Sequence, residues 1–581
     1  ESMESSWVIV MTPIRRGQMT TMECVRTSSD NLDQNQIVHV ATGVNQGIVI
    51  YKAIIDDKGA YTPLADSESE ITYKCFVVNQ DSNDVRAENR KLHFWFVPSA
   101  QKKVTSFLVQ TSFMFFNDLI TPGHVPKDYA TFIKRVMRLM LLDKYNNISR
   151  IHLDVIPLDK NEAVFEGMEE RDDRPLEVRV QEQLMRTIEE AYPNVLTTEE
   201  LSKVIRQDEK LIVRILDQML SEESIHRMAM EGKHKGKFAY VLRVAQDEEN
   251  ADLGMGKLEV MAEGNMDVIT KMKDKPTVAI ITNLMCEKRA VDAMMQDKTT
   301  YVRYETKGGD SHVYTIGFIG PHKCVSTKLP AVGRDRRAKI ASGNTTTRLL
   351  GTFQDIEHVL LVGVCGSVCN LGDLAKSSRL GDIIIASPSR EQDSAYIYCD
   401  NVDEDDSGQF SFSLKNWTIP DPSLMRKAAS LVNEYGPSFE NAPWNQLFAE
   451  VVSQLSDFAR PEGVEDKVQM QLGDGQIIEI APPSIDRAGN WPMVRLGPLG
   501  CGKPVVSDTY LRTAFADERG LLGYDTEFDQ VLESILGNRC NSFLIVRACS
   551  DYHDGQKGNV WQPYASMQAA AFAKSVLLQL S

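Results

Sequence analysis

Cysteine is sparse in this sequence, and long apolar runs are absent. The 10 cysteines are spread over 581 residues, which is not the dense spacing of a secreted disulfide scaffold and favours a reducing cytosol. Cys365-Gly-Ser-Val-Cys369 has no Cys/His pair nearby, so we expect no metal and no cofactor. No stretch reaches the length of a membrane span and the acidic start is not a signal peptide, so we expect a cytoplasmic protein without membrane contact.

Positive charge is also in short supply. A formal net charge of −17 argues against chain-wide attraction to nucleic acid or to an anionic membrane. The apolar share of 42% and the charged share of 25% are those of folded globular proteins. Because 581 residues are too many for one hydrophobic core, we expect a multidomain protein.

Residues 1–160 alternate strand-like runs with one helix-like stretch from Tyr129 to Leu142, a pattern typical of an α+β domain. No motif in this segment indicates chemistry. Its role therefore stays open, with contact to a protein partner as one candidate.

Residues 174–245 resemble a winged-helix domain. Glu177 to Tyr192 and Gln207 to Leu220 are helical by period, and Thr197-x-x-Glu200 is a capping box that opens a helix over 199–205. Two strand-like runs joined by a basic tip follow. The would-be recognition helix carries more acids than bases, so we expect protein contact or domain packing; the case for nucleic acid rests on the basic tip.

Residues 246–275 are polar and weakly periodic, which predicts a linker. From 276 to 581, short apolar strands alternate with helical segments, the pattern of an α/β domain. Insertions around 400–409 and 433–491 lengthen this domain, and we expect them to form a lid or part of an interface.

Three strands of the C-terminal half end in residues with functional potential. One is followed by Glu287, one by Gly363 and Gly366, and one by Ser550 and Asp551. Since ligands of α/β sheets bind beyond the carboxyl ends of strands, these residues are candidates for one site. The two glycines would let backbone approach a ligand closely.

Five blocks of the C-terminal half resemble, in order, those of the nucleoside phosphorylase and nucleosidase superfamily. They are VAIITNLMCEKRAV, VLLVGVCGSV with RLGDIIIAS, LGPLGCGKPVVSD, GYDTEF, and VRACSDYHD with WQPYASMQAAAFA. The resemblance covers Thr277 to Leu580. It implies a three-layer α/β fold with a central twisted mixed sheet, a purine nucleoside or nucleotide as substrate, and pairing into a homodimer.

The resemblance also implies roles for single residues. Asp551 falls on the aspartate that protonates purine N7, Glu287 on the glutamate that activates water, and Glu527 on the glutamate that binds ribose. The positions expected to line the substrate are Gly363, Cys365, Gly366, Val505, Val506, Thr526 and Ser550. Each acid has a structural alternative, namely a helix cap for Asp551, a surface position for Glu527 and a helix-start charge for Glu287.

The chain departs from the phosphorylase pattern where phosphate would bind. Leu361 and Val364 replace the arginine and serine of the phosphate turn. Glu287 would also lie where phosphate should bind, and its negative charge repels phosphate and favours water. We therefore predict hydrolysis of the N-glycosidic bond of an adenine nucleoside or nucleotide. Phosphate-dependent phosphorolysis and non-catalytic nucleotide sensing remain the alternatives. Val505 and Thr526 replace the stacking aromatic and the methionine of the nucleosidases, which leaves the details of base recognition open.

A phosphate group on the substrate is suggested by a basic segment. Arg334, Arg336 and Arg337 lead into a helix rich in hydroxyl side chains, and an anion at a helix N-terminus beside arginines is well held. AMP and ATP are therefore candidate substrates; the alternative is a solvated basic helix face. A nucleosidase domain fused to extra modules also resembles the layout of eukaryotic defence-type effectors.

Overall fold

The computed structural model describes residues 7–56, 66–78, 85–121, 129–159, 174–231, 235–244, 257–261, 269, 272–305, 311–330, 336–390, 392–405, 409–473, 475–483, 491–526, 528–555 and 558–580. Its strands are β1 Trp7–Arg16, β2 Met19–Ser28, β3 Ile37–Val40, β4 Ile48–Tyr51, β5 Ile54–Ile55, β6 Ser69–Val78, β7 Val85–Phe96, β8 Ile148–Pro157, β9 Leu196–Thr197, β10 Ile225–Ala229, β11 Phe238–Leu242, β12 Lys257–Val260, β13 Val278–Thr282, β14 Gln296–Arg303, β15 His312–Ile319, β16 His322–Lys328, β17 His358–Ser367, β18 Ile383–Ala386, β19 Tyr396–Glu404, β20 Phe410–Trp417, β21 Val468–Gly473, β22 Gln476–Ile480, β23 Val494–Gly497, β24 Leu499–Cys501, β25 Gly523–Tyr524 and β26 Phe543–Asp551. Its α-helices are α1 Pro98–Gln101, α2 Thr105–Ile120, α3 Tyr129–Leu141, α4 Leu176–Ala191, α5 Thr198–Ile205, α6 Glu209–Ser221, α7 Met285–Ala293, α8 Arg336–Thr352, α9 Ser423–Tyr435, α10 Pro443–Val452, α11 Lys503–Ser507, α12 Thr509–Arg519, α13 Asp529–Gly537 and α14 Trp561–Leu577.

The chain folds into two compact units. The first contains residues 1–170, 369–377 and 465–487; the second contains residues 171–368, 378–464 and 488–581. The domain predicted over 276–581 therefore gives two segments to the first unit. Composition could not show this, because the assignment follows from contacts between distant segments of the chain.

The first unit is built on one sheet, in the order β21-β22-β6-β7-β8-β2-β1-β4-β3 with β5 beside β1. Strand β7 alternates as a half-buried strand should, with Leu92, Phe94 and Phe96 buried. The Phe94 ring lies 5.7 Å from that of Phe115 on α2, so helix α2 covers this face. The hairpin β21–β22, which belongs to the 433–491 insertion, extends the sheet at β6.

The helices and strands predicted over 174–245 are present with shifts of up to three residues at their ends. Thr197 and Glu200 form the predicted capping box of α5: the Thr197 hydroxyl accepts from the Glu200 N–H, and the Glu200 carboxylate accepts from the Thr197 N–H. Among the described residues, β10, β11 and the short, unpredicted β9 form a three-stranded sheet. The assignment to the winged-helix class stays a prediction, and Lys233 and His234 of its basic tip lie outside the described residues.

The second unit also contains a mixed sheet of 13 strands within the described residues. Its centre is parallel, since β13 pairs with β16 and β17, and β17 pairs with β26, all in parallel. Helices cover both faces: α7, α9, α10 and α14 pack on one side and α8 and α13 on the other. This is the α/β layering that the sequence predicts.

Part of the predicted linker 246–275 is a strand instead. Lys257 to Val260 form β12, which pairs in parallel with β14 at the edge of this sheet. Four residues are too few to give a periodic signal, which explains the error. Within the described residues, none of the helices is long and apolar enough to cross a bilayer.

Candidate active site

The three strand ends predicted to share a site lie side by side. Strands β13, β17 and β26 are parallel neighbours, so their carboxyl ends meet at one edge of the sheet. Glu287 follows β13, Gly363 and Gly366 lie in the second half of β17, and Asp551 ends β26. This is the edge at which α/β proteins bind ligands.

Asp551 is a buried acid with one oxygen that accepts hydrogen bonds and one that has no partner among the described residues. The residue is only 7% exposed. Oδ1 accepts from the backbone N–H groups of His553 at 2.8 Å and Gly555 at 2.9 Å, whereas Oδ2 has no hydrogen-bond partner among the described residues. Burial raises the pKa of Asp551 against the opposing effect of the two N–H groups.

A β-bulge sets the direction of the residues at the end of β26. The register with β17 pairs Cys365 with Cys549 and then Gly366 with Asp551, which leaves Ser550 out of the ladder. Bulges of this kind re-aim side chains and are common beside active sites. Ser550 is fully buried, and its hydroxyl has no partner within the described part of the chain.

Glu287 is held by three backbone N–H groups. Oε2 accepts from Asn283 at 2.6 Å and Leu284 at 2.9 Å, and Oε1 accepts from Val364 at 2.8 Å. Burial raises the pKa of Glu287, while Arg547 and the three N–H groups oppose that rise. The carboxylate thus ties the turn after β13 to the end of β17. A carboxylate oxygen has about two lone pairs, so Oε1 keeps one for a further donor.

Arg547 lies beside the candidate acids and was not predicted from the sequence. Its guanidinium is fully buried, its Nε donates to Asp525 Oδ2 at 2.8 Å, and it lies over the ring of Phe528. Although burial opposes its charge, Asp525 and Glu287 raise the pKa of Arg547. Nη1 and Nη2 have no hydrogen-bond partner among the described residues. A lone arginine inside the apolar run FLIVRA was the available signal.

The two glycines of β17 are required by close approach of the protein to itself. A Cβ on Gly363 would lie 2.2 Å from Glu287 Oε1, and one on Gly366 would lie 2.3 Å from the carbonyl carbon of His553. Such distances are shorter than any real contact of a Cβ. The glycines therefore allow the acidic side chain and the loop after Asp551 to reach the strand. The predicted approach of this backbone to a ligand stays a prediction.

Three other predicted residues, Cys365, Val505 and Val506, have side chains that pack in apolar clusters. The Cys365 thiol lies 4.0 Å from that of Cys549 in the apolar core. Val505 and Val506 pack in a second apolar cluster with Phe515 and Tyr524. The sequence could not show these directions, because the bulge and the short α11 set them.

Thr526 and Arg512 also lie near the candidate acids. The Thr526 N–H and hydroxyl donate to Asp525 Oδ1, and its carbonyl accepts from the Tyr396 hydroxyl. Arg512 on α12 donates to the Val506 carbonyl at 2.9 Å. Burial lowers the pKa of Arg512, and attraction to Tyr524, Asp554 and Asp551 opposes that shift.

Several predicted residues lie beyond what the structure describes. Glu527 and Arg334 are outside the described residues, and the side chains of Arg336 and Arg337 are as well. Their roles stay predictions. In the part of the chain that the structure describes, no three His, Cys, Asp or Glu side chains are grouped so as to hold a metal ion.

Comparison with known sequences gives one partial relative. No protein-family model matches the chain. A protein of Hyaloscypha variabilis named nucleotide-binding leucine-rich repeat (NLR)-like protein is 27% identical over 278 residues, which are 47% of this chain and 26% of that protein. The chain thus matches about a quarter of the length of this relative.

Comparison with solved structures gives nucleoside-cleaving proteins at low scores. The 5′-methylthioadenosine/S-adenosylhomocysteine nucleosidase of Helicobacter pylori is 15% identical, covers 53% of this chain with 100% of its own, and has a TM-score of 0.33. Futalosine hydrolase of Helicobacter pylori is 15% identical, covers 52% of this chain with 97% of its own, and has a TM-score of 0.32. TM-scores this low do not support a functional assignment.

Proposed function

We propose that the second unit hydrolyses the N-glycosidic bond of a purine nucleoside or nucleotide. The observation that carries this proposal is Asp551 Oδ2, a buried carboxyl oxygen without a partner among the described residues at the edge of the sheet where ligands bind. Burial raises the pKa of Asp551, which is the direction that a general acid requires. The resemblance of five sequence blocks to the nucleosidases supports the substrate class.

In the proposed reaction, Asp551 gives its proton to N7 of the purine. The bond between C1′ of the sugar and N9 of the base breaks, and the base leaves as a neutral molecule. General acid assistance of this kind contributes roughly 10²- to 10⁴-fold to the rate. The products are the free base and ribose or ribose phosphate.

Water supplies the new bond to C1′. Its oxygen attacks the carbon while its proton passes to Glu287, whose Oε1 lies beside Gly363 and Arg547 and keeps a lone pair. We propose that the two Arg547 nitrogens without described partners orient that water. We propose that Glu527 binds the ribose hydroxyls, and that Arg334, Arg336 and Arg337 bind a phosphate when the substrate is a nucleotide.

We further propose that this activity serves as the effector part of a larger signalling protein. The relative from Hyaloscypha variabilis carries a nucleotide-binding leucine-rich repeat name, and the aligned stretch is 26% of its length. A nucleotide-cleaving module would suit such a protein, because removing adenine nucleotides changes the state of the whole cell.

A substrate panel tests the proposal. The full chain is incubated with adenosine, inosine, AMP, ATP and methylthioadenosine, with and without phosphate, and free base is measured by chromatography. We expect base release that does not depend on phosphate and is lost in Asp551→Asn. Ribose 1-phosphate formed only with phosphate would establish a phosphorylase, and ligand binding without base release would establish a sensor.

A further inference from the structure

The first unit contains a cavity that the sequence did not predict. Its volume is about 820 Å³, within the range of small-molecule sites. Strands β6, β7 and β8 supply its polar wall, and Ile480 to Pro483, which follow the inserted hairpin, supply part of its apolar wall. All of these residues belong to the first unit.

Two rows of polar side chains cross the sheet at this wall. In the first row, Glu70 pairs with His93, His93 with His152, and His152 with Glu23, each directly opposite the next. The neighbouring row contains Lys91 and Asp154, also directly opposite each other. Side chains that face each other across strands lie close enough to interact.

The charges in these rows are already paired with one another. His152 Nε2 lies 3.1 Å from Glu23 Oε1, His93 Nε2 lies 3.3 Å from Asp154 Oδ2, and Lys91 Nζ lies 2.8 Å from Glu70 Oε2. The Glu68 carboxylate, another lining group, accepts from the Phe96 N–H and the Gln101 amide. A ligand with a net charge would therefore have to compete with these ion pairs. Two further charged residues line the cavity, Arg16 and Asp66, and their formal charges are opposite, so the lining shows no clear preference for one sign of charge.

Aromatic rings cluster on the same wall. The Trp95 ring lies 6.0 Å from His93 and 4.7 Å from His152 between centroids, at interplanar angles of 30° and 59°, and all three residues line the cavity. The face of the half-buried Trp95 ring can bind a flat ring system by stacking. The carboxylates and imidazoles around it supply acceptors and donors for polar atoms at a ring edge.

We propose that this cavity is a second ligand site, separate from the candidate active site, for a flat, uncharged heteroaromatic molecule with N–H donors, such as a purine base. The ring stacks on Trp95, and its edge bonds to the His93 and Glu70 side of the wall. A free base and the base of a nucleoside share this chemistry, and adenine and adenosine distinguish them as probes.

The test uses the full chain labelled with 5-fluorotryptophan and observed by fluorine NMR. Trp95→Phe assigns the reporter resonance, and Trp7→Phe assigns a control resonance from a tryptophan that is 59% exposed on β1. We expect adenine or adenosine to shift the Trp95 resonance saturably and to leave that of Trp7 unchanged. Asp551→Asn should not alter the Trp95 response, which separates this site from the candidate active site.

A matched pair of histidine variants measures the contribution of the wall. His93→Leu removes a ring and its hydrogen bonds and should weaken binding about fivefold or more, whereas His39→Leu, at an exposed histidine on β3, should not. Absence of a Trp95 shift up to about 5 mM probe, a concentration at which even weak sites fill, would overturn the proposal. A stronger response to spermidine or ATP than to adenine would also overturn it, in favour of a cation or an anion site.

Discussion

At the scale of single residues, the burial of Asp551 has two opposite consequences. Burial raises its pKa, which is the direction that the proposed general acid requires. Its folded-state pKa then lies above the unfolded value, so the folded state is favoured below the unfolded pKa and loses stability as the pH rises through the folded pKa. At neutral pH the buried side chain therefore lowers the stability of the fold.

Asp551→Asn should separate these two effects. Asparagine keeps an oxygen for the His553 and Gly555 N–H groups but has no proton to donate, so we expect kcat to fall by roughly 10²-fold with little change in KM. The same variant should melt at a higher temperature than wild type at pH 7, and the difference should shrink as the pH approaches 4, which is near the ordinary pKa of aspartate. Base release and thermal unfolding across pH measure both. An equal loss of stability at every pH would contradict the role of burial.

Glu287→Gln should damage the fold as well as the reaction. The wild-type carboxylate accepts from three backbone N–H groups through both oxygens, and a glutamine amide offers only one oxygen. Its NH₂ group must face at least one of those donors, which leaves a buried N–H unsatisfied at a cost of about 1–3 kcal/mol. We expect a lower melting temperature and loss of base release.

The matched control is Glu462→Gln, at an exposed glutamate of the same unit. It should change neither the melting temperature nor the activity. If Glu287→Gln melts as wild type does, the three hydrogen bonds do not stabilise the turn after β13, and any loss of activity would then belong to the chemistry alone.

The candidate acids are easier to find in the sequence than the residues around them. An apolar run that ends in Asp551 and a helix that begins near Glu287 are visible in one dimension, because strands and helix starts have local signals. The partnership of Arg547 with Asp525 and the inward direction of Cys365 depend on the bulge in β26 and on pairing between distant strands. No local pattern carries that information.

At the scale of secondary-structure elements, the end of β17 depends on Gly366. The loop after Asp551 passes so close that a Cβ on Gly366 would meet the His553 carbonyl carbon at 2.3 Å. Backbone cannot yield as a flexible side chain does, so the loop or the strand has to move. Since that loop holds both N–H donors to Asp551 Oδ1, any movement displaces the acid.

Gly366→Ala should therefore destabilise the protein and reduce base release. Gly351→Ala is the matched control, because nothing lies within 4 Å of its Cβ position and it sits in the last turn of α8. Replacing a helical glycine by alanine stabilises by about 0.5–1 kcal/mol. Thermal unfolding and base release of both variants check this prediction, and wild-type behaviour of Gly366→Ala would show that the contact is looser than described.

Element order was more predictable than element pairing. The three helices and the hairpin within 174–245 have capping and turn signals, and all of them are present. The hairpin β21–β22 has a turn signal in Gly473-Asp474-Gly475, yet its partner β6 lies about 400 residues earlier in the chain. Pairing over that separation follows from the packing of whole strands and has no local signature.

At the scale of the whole molecule, assembly is one open prediction. The resemblance to the nucleoside phosphorylase and nucleosidase superfamily predicts a homodimer through residues 276–581. Light scattering at micromolar concentration should then give twice the mass of the 65.2 kDa chain. A monomeric mass together with full activity would contradict this prediction.

The helices over 176–221 share a hydrophobic core with the sheet of the second unit. Leu184 and Ile188 of α4 belong to the same apolar cluster as Val302 of β14 and Val313 of β15. Polar contacts join the same parts: Lys328 at the end of β16 donates to the Glu190 carbonyl at 2.6 Å. A shared core of this kind should unfold as one body rather than as two.

Leu184→Ala should therefore lower the temperature at which base release is lost, although Leu184 lies far from Asp551 in the sequence. Truncating a fully buried leucine costs about 2–5 kcal/mol because it leaves a cavity. Leu176→Ala, on the same helix but 46% exposed, is the matched control and should change little. Calorimetry and residual activity after heating should shift together in Leu184→Ala. A separate low-temperature transition with unchanged loss of activity would mean that the helices fold independently of the sheet that carries the site.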